Sequence, residues 1–249
     1  MIINLLARCD STNDLAMASV FHGAPHGSCW VSDAQTSGRG RRDQGGQRRS
    51  WYSPPGKNLH LSVLLRPTIE PARAAALTLI TAVAAVDVLR ELSGLDIGIK
   101  WPNDLMLEDK KLAGILTEAS TSARGLDAVV IGLGLNVNIE SSDVPEDLRT
   151  IMTSLHIEAG HSFDRLTLAI SLRDAIVAAC DRFARTDLKA FLPDLRRLDR
   201  TTGRRVVMDK NGQSLHGTVR GIGDDGQLLV DLDTGQSIEV LAGEVRFEG

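Results

Sequence analysis

The feature that most constrains this fold is a change of texture at Arg200. Before it, apolar runs of helical and strand period alternate. After it only short alternating runs remain, Val206-Val-Met208, Leu215 to Arg220, Gln227 to Asp231 and Ser237 to Val240, punctuated by Asn211-Gly212, Asp225-Gly226 and Thr234-Gly235. Turn dipeptides at that spacing, with no helical pattern between them, predict a small β-barrel over 201–249. Residues 1–200 are then long enough to bury a core of their own.

Within 1–200 the capping run Ser11-Thr12-Asn13-Asp14 predicts a helix that ends near Gly23. Ser28 to Ser32, Leu59 to Leu65, Ile97 to Trp101, Leu112 to Thr117 and Ala128 to Ile139 read as strands. An alanine-rich helix fills Ala74 to Leu89, with Pro71 in its first turn and Gly94 as its stop. Helical period returns over Phe163 to Phe183 and Leu188 to Leu195. Such interleaving predicts an α+β fold, a central mixed β-sheet covered by helices.

Composition removes several function classes. The net charge of −4 gives no field that would drive the chain to nucleic acid or to a membrane. The Ala74 to Leu89 run is interrupted by Thr78, Thr81 and Asp87 and is too short to span a bilayer. Cys9, Cys29 and Cys180 are scattered, with no CxxC spacing and no secretory leader, which predicts a reducing, cytoplasmic setting. His22 and His26 flank Gly23 and Pro25 and read as loop residues, and His60 reads as packing. No tightly held transition metal is expected.

Three segments carry chemistry. Lys100-Trp-Pro-Asn-Asp-Leu105 is followed by Lys110-Lys-Leu-Ala-Gly-Ile-Leu-Thr-Glu118, so that Asp104 and Lys111 stand on adjoining segments between apolar runs, a pairing suited to work on a phosphate. Gly38 to Trp51 holds five arginines and four glycines directly after a strand; such a loop can bring guanidinium forks and bare N–H groups onto an anion. The same residues beside Trp51-Tyr52 also suit a single-stranded nucleic acid, although one loop is a small footprint in an acidic chain. In Val130-Ile-Gly-Leu-Gly-Leu-Asn-Val-Asn138 the glycines lie inside a strand, where they mark close approach of a ligand or another backbone.

Taken in order, these segments resemble the biotin protein ligases. The resemblance rests on Asp10-Ser-Thr-Asn13, Gln35 with Gly38-Arg-Gly-Arg-Arg42, Trp51-Tyr-Ser-Pro with Gly56 and Asn58-Leu59, Lys100 to Leu105, Lys111-Leu-Ala-Gly-Ile115 and Ile131 to Asn138. It implies a class II synthetase-like biotin/lipoate ligase fold with a small SH3-like barrel at the end. It implies activation of biotin with MgATP to biotinyl-5′-AMP, then transfer to a lysine of a biotin carboxyl carrier domain of acetyl- or acyl-CoA carboxylase.

The resemblance also assigns residues. Lys111, Arg41 and Asp104 are the expected catalytic groups. Ser11, Thr12, Asn13, Gln35, Gly38, Arg39, Gly114, Gly132 and Gly134 are expected around biotin. Arg39, Arg41, Arg42, Trp51, Lys100, Asn103, Lys111 and Asn136 are expected around ATP, with Asn136 toward its magnesium. The chain departs from the family in Asp43 and in the length of Asp43 to Ser50, which leaves open which of Arg41, Arg42, Arg48 and Arg49 meet ligand. Arg246 is the end-domain candidate for ATP, beside Glu244. No helix-turn-helix precedes Ser11, so no DNA binding is expected; monomer and homodimer are both open. The second readings are a lipoate ligase or octanoyltransferase, and a non-catalytic biotin-binding module.

Overall fold

A computed structural model describes residues 2–42, 48–210, 213–241, 243 and 245–248. The chain opens with β1 (Ile3–Leu6), α1 (Thr12–Val20), β2 (Ser28–Ser32), β3 (Arg39–Arg42), β4 (Arg48–Ser50) and β5 (Asn58–Leu65). It continues with α2 (Ala76–Ser93), β6 (Gly98–Lys100), β7 (Asp104–Leu107), β8 (Lys110–Ser122), β9 (Gly125–Asn136), α3 (Leu155–Ala159), α4 (Arg165–Arg185) and α5 (Leu192–Leu198). The last strands are β10 (Arg205–Lys210), β11 (Gln213–Ile222), β12 (Leu228–Leu232), β13 (Ser237–Val240) and β14 (Arg246–Phe247).

Seven strands form one sheet in the order β1-β2-β5-β9-β8-β7-β6, parallel between β1 and β2 and antiparallel elsewhere. Because side chains alternate across a strand, β5 presents two faces although all eight of its residues are buried. Leu59, Leu61, Val63 and Leu65 join the main core with α2 and α4, while Leu64 packs with Ala16 and Val20 of α1. Asn58, His60 and Ser62 share the α1 face with Leu64. Of this polar half, His60 lines the cavity described below, while Asn58 and Ser62 lie buried.

Local chemistry explains most element ends. Ser11 caps α1 by accepting from Asp14 N, and Asp164 caps α4 by accepting from Thr167 N at 2.6 Å. Gly94 ends α2 in the left-handed region at φ 71°, the expected stop. Pro71 begins a separate 3-10 turn, Pro71–Arg73, and the α-helix starts only at Ala76. The basic loop also differs from a plain flexible segment, since Arg39–Arg42 and Arg48–Ser50 pair as a short antiparallel ribbon.

The last five strands form a second antiparallel sheet in the order β13-β12-β11-β10-β14. Its core residues Val206, Val219, Leu228 and Val230 belong to the same apolar cluster as Leu79, Leu188 and Leu195. Contact between the two sheets' layers is polar as well. Trp101 Nε1 donates to the Gly226 carbonyl at 2.9 Å, and Trp101 N donates to Thr201 Oγ1 at 3.1 Å. Gly226 has φ 81°, and a Cβ there would stand 2.7 Å from Leu79 Cδ1, so both conformation and space call for glycine.

Candidate active site

A cavity of about 340 Å³ opens on the α1 face of the large sheet. Its wall includes Ser11, Thr12, Asn13, Gln35, Arg39, Trp51, Lys100, Asn103, Asp104, Lys111, Gly114, Gly132, Gly134 and Asn136. Nearly the whole residue set expected from the sequence is therefore gathered at one place. Gly38 lies just behind that wall, where a Cβ would meet Gln35 Nε2 at 3.1 Å. The side chains of Arg41, Arg42, Arg48 and Arg49, and Asp43 and Glu244 entirely, fall outside the described residues. Arg246 is exposed and does not line the cavity, although its neighbours Gly243 and Val245 do.

One end of the cavity is a closed hydrogen-bond network. Gln35 Oε1 accepts from Thr12 N at 2.8 Å and from Thr12 Oγ1 at 3.1 Å. Ser62 Oγ lies 2.8 Å from Thr12 Oγ1 and donates to Asn13 Oδ1 at 2.6 Å, while Asn13 Nδ2 donates to Glu118 Oε2 at 2.8 Å. Gly132 is opposite Ser62 in the sheet register, and a Cβ on it would stand 2.3 Å from Asn13 Oδ1. Glycine is thus required where the helix start meets the sheet. Ser62 and Glu118 had no role in the sequence reading; the alternation Asn58, His60, Ser62 inside an apolar strand is the signal that could have found the first.

Arg39 bridges this network to the cavity mouth. Its guanidinium meets both carboxylate oxygens of Asp14, at 2.5 and 2.7 Å, then Glu118 at 3.2 Å and Ser11 Oγ at 3.0 Å. The bond to Asp14 holds its pKa above the ordinary value. Arg39 Nε remains buried without a hydrogen-bond partner.

The next rung across the sheet is His60, Gly134 and Gly114, aligned on β5, β9 and β8. Trp51 lies on the two glycines: a Cβ would stand 2.9 Å from its Cε2 at Gly134 and 3.3 Å from its Cζ3 at Gly114. His60 is fully buried, shares a 2.6 Å hydrogen bond between Nε2 and Ser53 Oγ, and leaves Nδ1 unpartnered. Burial first, and the Arg165 charge second, push its pKa down to about 4, so the ring is neutral near pH 7. Its packing role holds, and it also lines the cavity.

Lys111 stands beside Gly114, with Nζ 2.7 Å from Asp104 Oδ1 and 5.5 Å from the Trp51 ring centroid. The angle makes the first contact an ion pair rather than a well-formed hydrogen bond. The backbone explains the placement. The β7–β8 pairing shifts so that Leu105 faces Ala113 but Met106 faces Lys111, a bulge that re-aims the lysine. Lys111 is also held from its other side, donating to Ile151 O and accepting from Thr153 N.

Asn103 donates to Ile115 O at 3.0 Å and closes the Trp101–Asn103 turn against β8. Asn136 is buried, donates to Thr153 O and accepts from Asn58 Nδ2 at 3.3 Å. Asn58 Oδ1 beside it is buried without a partner. Asn138 is clipped to Phe163 by two bonds of 2.9 Å, a structural use away from the cavity wall.

Residues 5–136 match the Biotin/lipoate A/B protein ligase family, and residues 201–247 match the Biotin protein ligase C terminal domain. The chain is 34% identical to a biotin–[acetyl-CoA-carboxylase] ligase of Paracoccus denitrificans, with 98% of this chain and all of that protein covered. The chain belongs to the biotin protein ligases. This ligase is also 35% identical to the bifunctional ligase/repressor BirA of Escherichia coli, over 93% of its own length and 70% of that protein's. Among solved structures, the ligase superposes on a biotin protein ligase from Aquifex aeolicus in complex with biotin and ATP, with a TM-score of 0.82 at 26% identity. That match covers 99% of this chain and 98% of the other.

Proposed function

We propose that this ligase joins biotin to ATP, giving biotinyl-5′-AMP and pyrophosphate, and then passes the biotinyl group to a lysine of the biotin carrier domain of acetyl-CoA carboxylase. The observation that carries the assignment of roles is the position of Lys111. Its ammonium stands beside the Gly114–Gly134 rung, between the Gly132–Ser62 rung that meets Asn13 and the Asn136–Asn58 rung.

In this reading the network takes the ureido ring. Donors and acceptors fixed in advance, several of them buried, reject analogues that cannot complete them. Gly114, Gly132 and Gly134 leave room for the ring and tail, and Trp51 covers them. The carboxylate of biotin attacks the α-phosphate while the bond to pyrophosphate breaks. Lys111 touches both anions and offsets their repulsion in a site shielded from water. Arg39, freed in part from Asp14, and Arg41 and Arg42 of the ribbon hold phosphate oxygens. In the second step the carrier lysine must lose a proton before attacking the acyl carbon and releasing AMP; Asp104 accepts that proton.

The residues present suit a magnesium ion bound with ATP: Asn136, which lines the cavity, would offer its Oδ1, a hard oxygen donor, and the ion would supply charge neutralisation there. We also assign residues 1–200 to the catalytic unit and 201–249 to the end unit. Among the described residues no helix is long and apolar enough to cross a membrane.

The test is pyrophosphate release with MgATP and biotin, lipoate or octanoate, followed by the mass of an added carrier domain. Release with biotin and a gain of one biotinyl group is expected. Lys111→Ala should lower release by about 10²- to 10³-fold with the fold retained. Release with lipoate alone would move the activity to the sister group, and tight biotin binding without release would leave a binding module.

A further inference from the structure

The rung that joins β5, β9 and β8 at His60, Gly134 and Gly114 carries two buried nitrogens with no hydrogen-bond partner among the described residues. One is His60 Nδ1. The His60 ring is 1% exposed and lines the cavity, and its other nitrogen, Nε2, lies 2.6 Å from Ser53 Oγ. The second is Trp51 Nε1, which stands 3.2 Å from where a Cβ on Gly134 would be. Gly134 is the residue paired with His60, and side chains at directly paired positions of an antiparallel ladder start about 5 Å apart. The same indole reaches Gly114, whose Cβ would lie 3.3 Å from Trp51 Cζ3 and 3.3 Å from Lys111 Nζ. Both nitrogens therefore belong to the level of the cavity at which the lysine ammonium stands.

An indole N–H donates and cannot accept. A neutral imidazole has one N–H, and the bond made by one ring nitrogen decides whether the other carries it. A serine hydroxyl that donates to Nε2 leaves the proton on Nδ1. Two donors then stand side by side on one rung of the wall, and together they call for an oxygen acceptor. The reacting carboxylate is the acceptor that the ligase reading brings to the level of Lys111. One of its oxygens attacks the α-phosphate. The other stays behind as the carbonyl oxygen of the adenylate and takes up negative charge when the carrier amine adds to the acyl carbon, before AMP leaves.

We propose that His60 Nδ1 and Trp51 Nε1 both donate to this second oxygen, with Ser53 holding the imidazole in the donating tautomer. This rests on the ligase reading above. His60 is thereby a catalytic residue that binds the acyl oxygen in both half-reactions and stabilises its charge in the second.

The experiment compares, without carrier, the Kd of biotinyl-5′-AMP with that of biotinol-5′-AMP, in which a methylene replaces the carbonyl group. The parent should prefer the carbonyl compound. His60→Gln keeps an amide within reach of Ser53 Oγ and has nothing in place of Nδ1. It should weaken biotinyl-5′-AMP about 5- to 10-fold and move biotinol-5′-AMP by less than about twofold. His60→Asn puts its amide where Nδ1 stands and should retain most of the preference, whereas Trp51→Phe should lose a part of it similar to that lost in His60→Gln. Equal weakening of both compounds in His60→Gln, or a preference left intact there, would overturn the proposal and leave His60 a packing residue. If the His60 variants fail to fold, nitrogen NMR of the His60 ring in the parent decides. Saturation with biotinyl-5′-AMP should show a protonated Nδ1, and a bare Nδ1 would overturn the proposal. Absence of biotin-dependent pyrophosphate release by the parent would instead refute the ligase reading itself.

Discussion

Single atoms decide much of this site. A methyl group at Gly132 collides with Asn13 Oδ1 and Cγ, at 2.3 and 2.9 Å, and neither is the end of a long flexible chain. Gly132→Ala must push Asn13 away from both Ser62 and Glu118. Two hydrogen bonds of roughly 1 kcal/mol each imply a biotin Kd weakened about 10- to 100-fold; titration calorimetry reads it, and an unchanged Kd would remove Asn13 from the binding network. His60 gives a pH signature. Its folded pKa of about 4 lies below the ordinary 6.5, so between those values the unfolded chain binds the proton that the folded one refuses. The stability His60 permits is complete above about pH 6.5 and falls as pH drops toward 4, by about 3 kcal/mol in all. Urea unfolding at pH 7 and at pH 4.5 should show that loss in the parent and a flatter profile in His60→Gln.

At the scale of elements, α1 is the part whose placement matters most, because Ser11, Thr12 and Asn13 ride on its first turn. The helix is short, and its far end is tied down by one side chain. Arg66 donates to the carbonyls of Val20 at 2.9 Å, Ala24 at 2.9 Å and Asp127 at 3.1 Å, joining the end of α1 to the β8–β9 hairpin. Arg66→Met strands those acceptors and should cost about 2–3 kcal/mol in urea unfolding. It should also weaken biotin binding without any contact to ligand; intact stability would show that water replaces the guanidinium. Elements were also where the sequence was most and least readable. The cap at Ser11, the stop at Gly94 and the apolar run of β5 announce themselves through local chemistry. The β3–β4 ribbon does not, because Arg-Gly-Arg-Arg and its partner Arg-Arg-Ser both lack strand propensity. Nor does the bulge that turns Lys111, since one extra residue between strands leaves no mark on an apolar pattern. The residues expected around the cavity were legible because their motifs are contiguous; Ser62 and Glu118 were not, because each acts through Asn13, 49 and 105 residues away in the chain.

At the scale of the molecule, the two larger sheets among the described residues share one apolar core. That core runs without a break from Leu79 and Leu195 into Val206 and Val230, and the turn that carries Asp104 is hydrogen-bonded to the end unit through Trp101. Trp101→Phe keeps the packing and removes one buried donor, leaving the Gly226 carbonyl unpaired. The expected result is a loss of about 1–2 kcal/mol, together with faster amide exchange in β12 than in β5. Equal acceleration in both strands would mean that the units open together rather than separately. The Trp101–Gly226 bond has a consequence for recombination among relatives. A chimaera that takes residues 201–249 from another ligase inherits a foreign turn against Trp101. Grafts that carry Lys100 to Asp104 along with the donor's end unit should therefore remain productive, whereas cuts made at the apparent seam near residue 200 should yield folded chains with poor turnover.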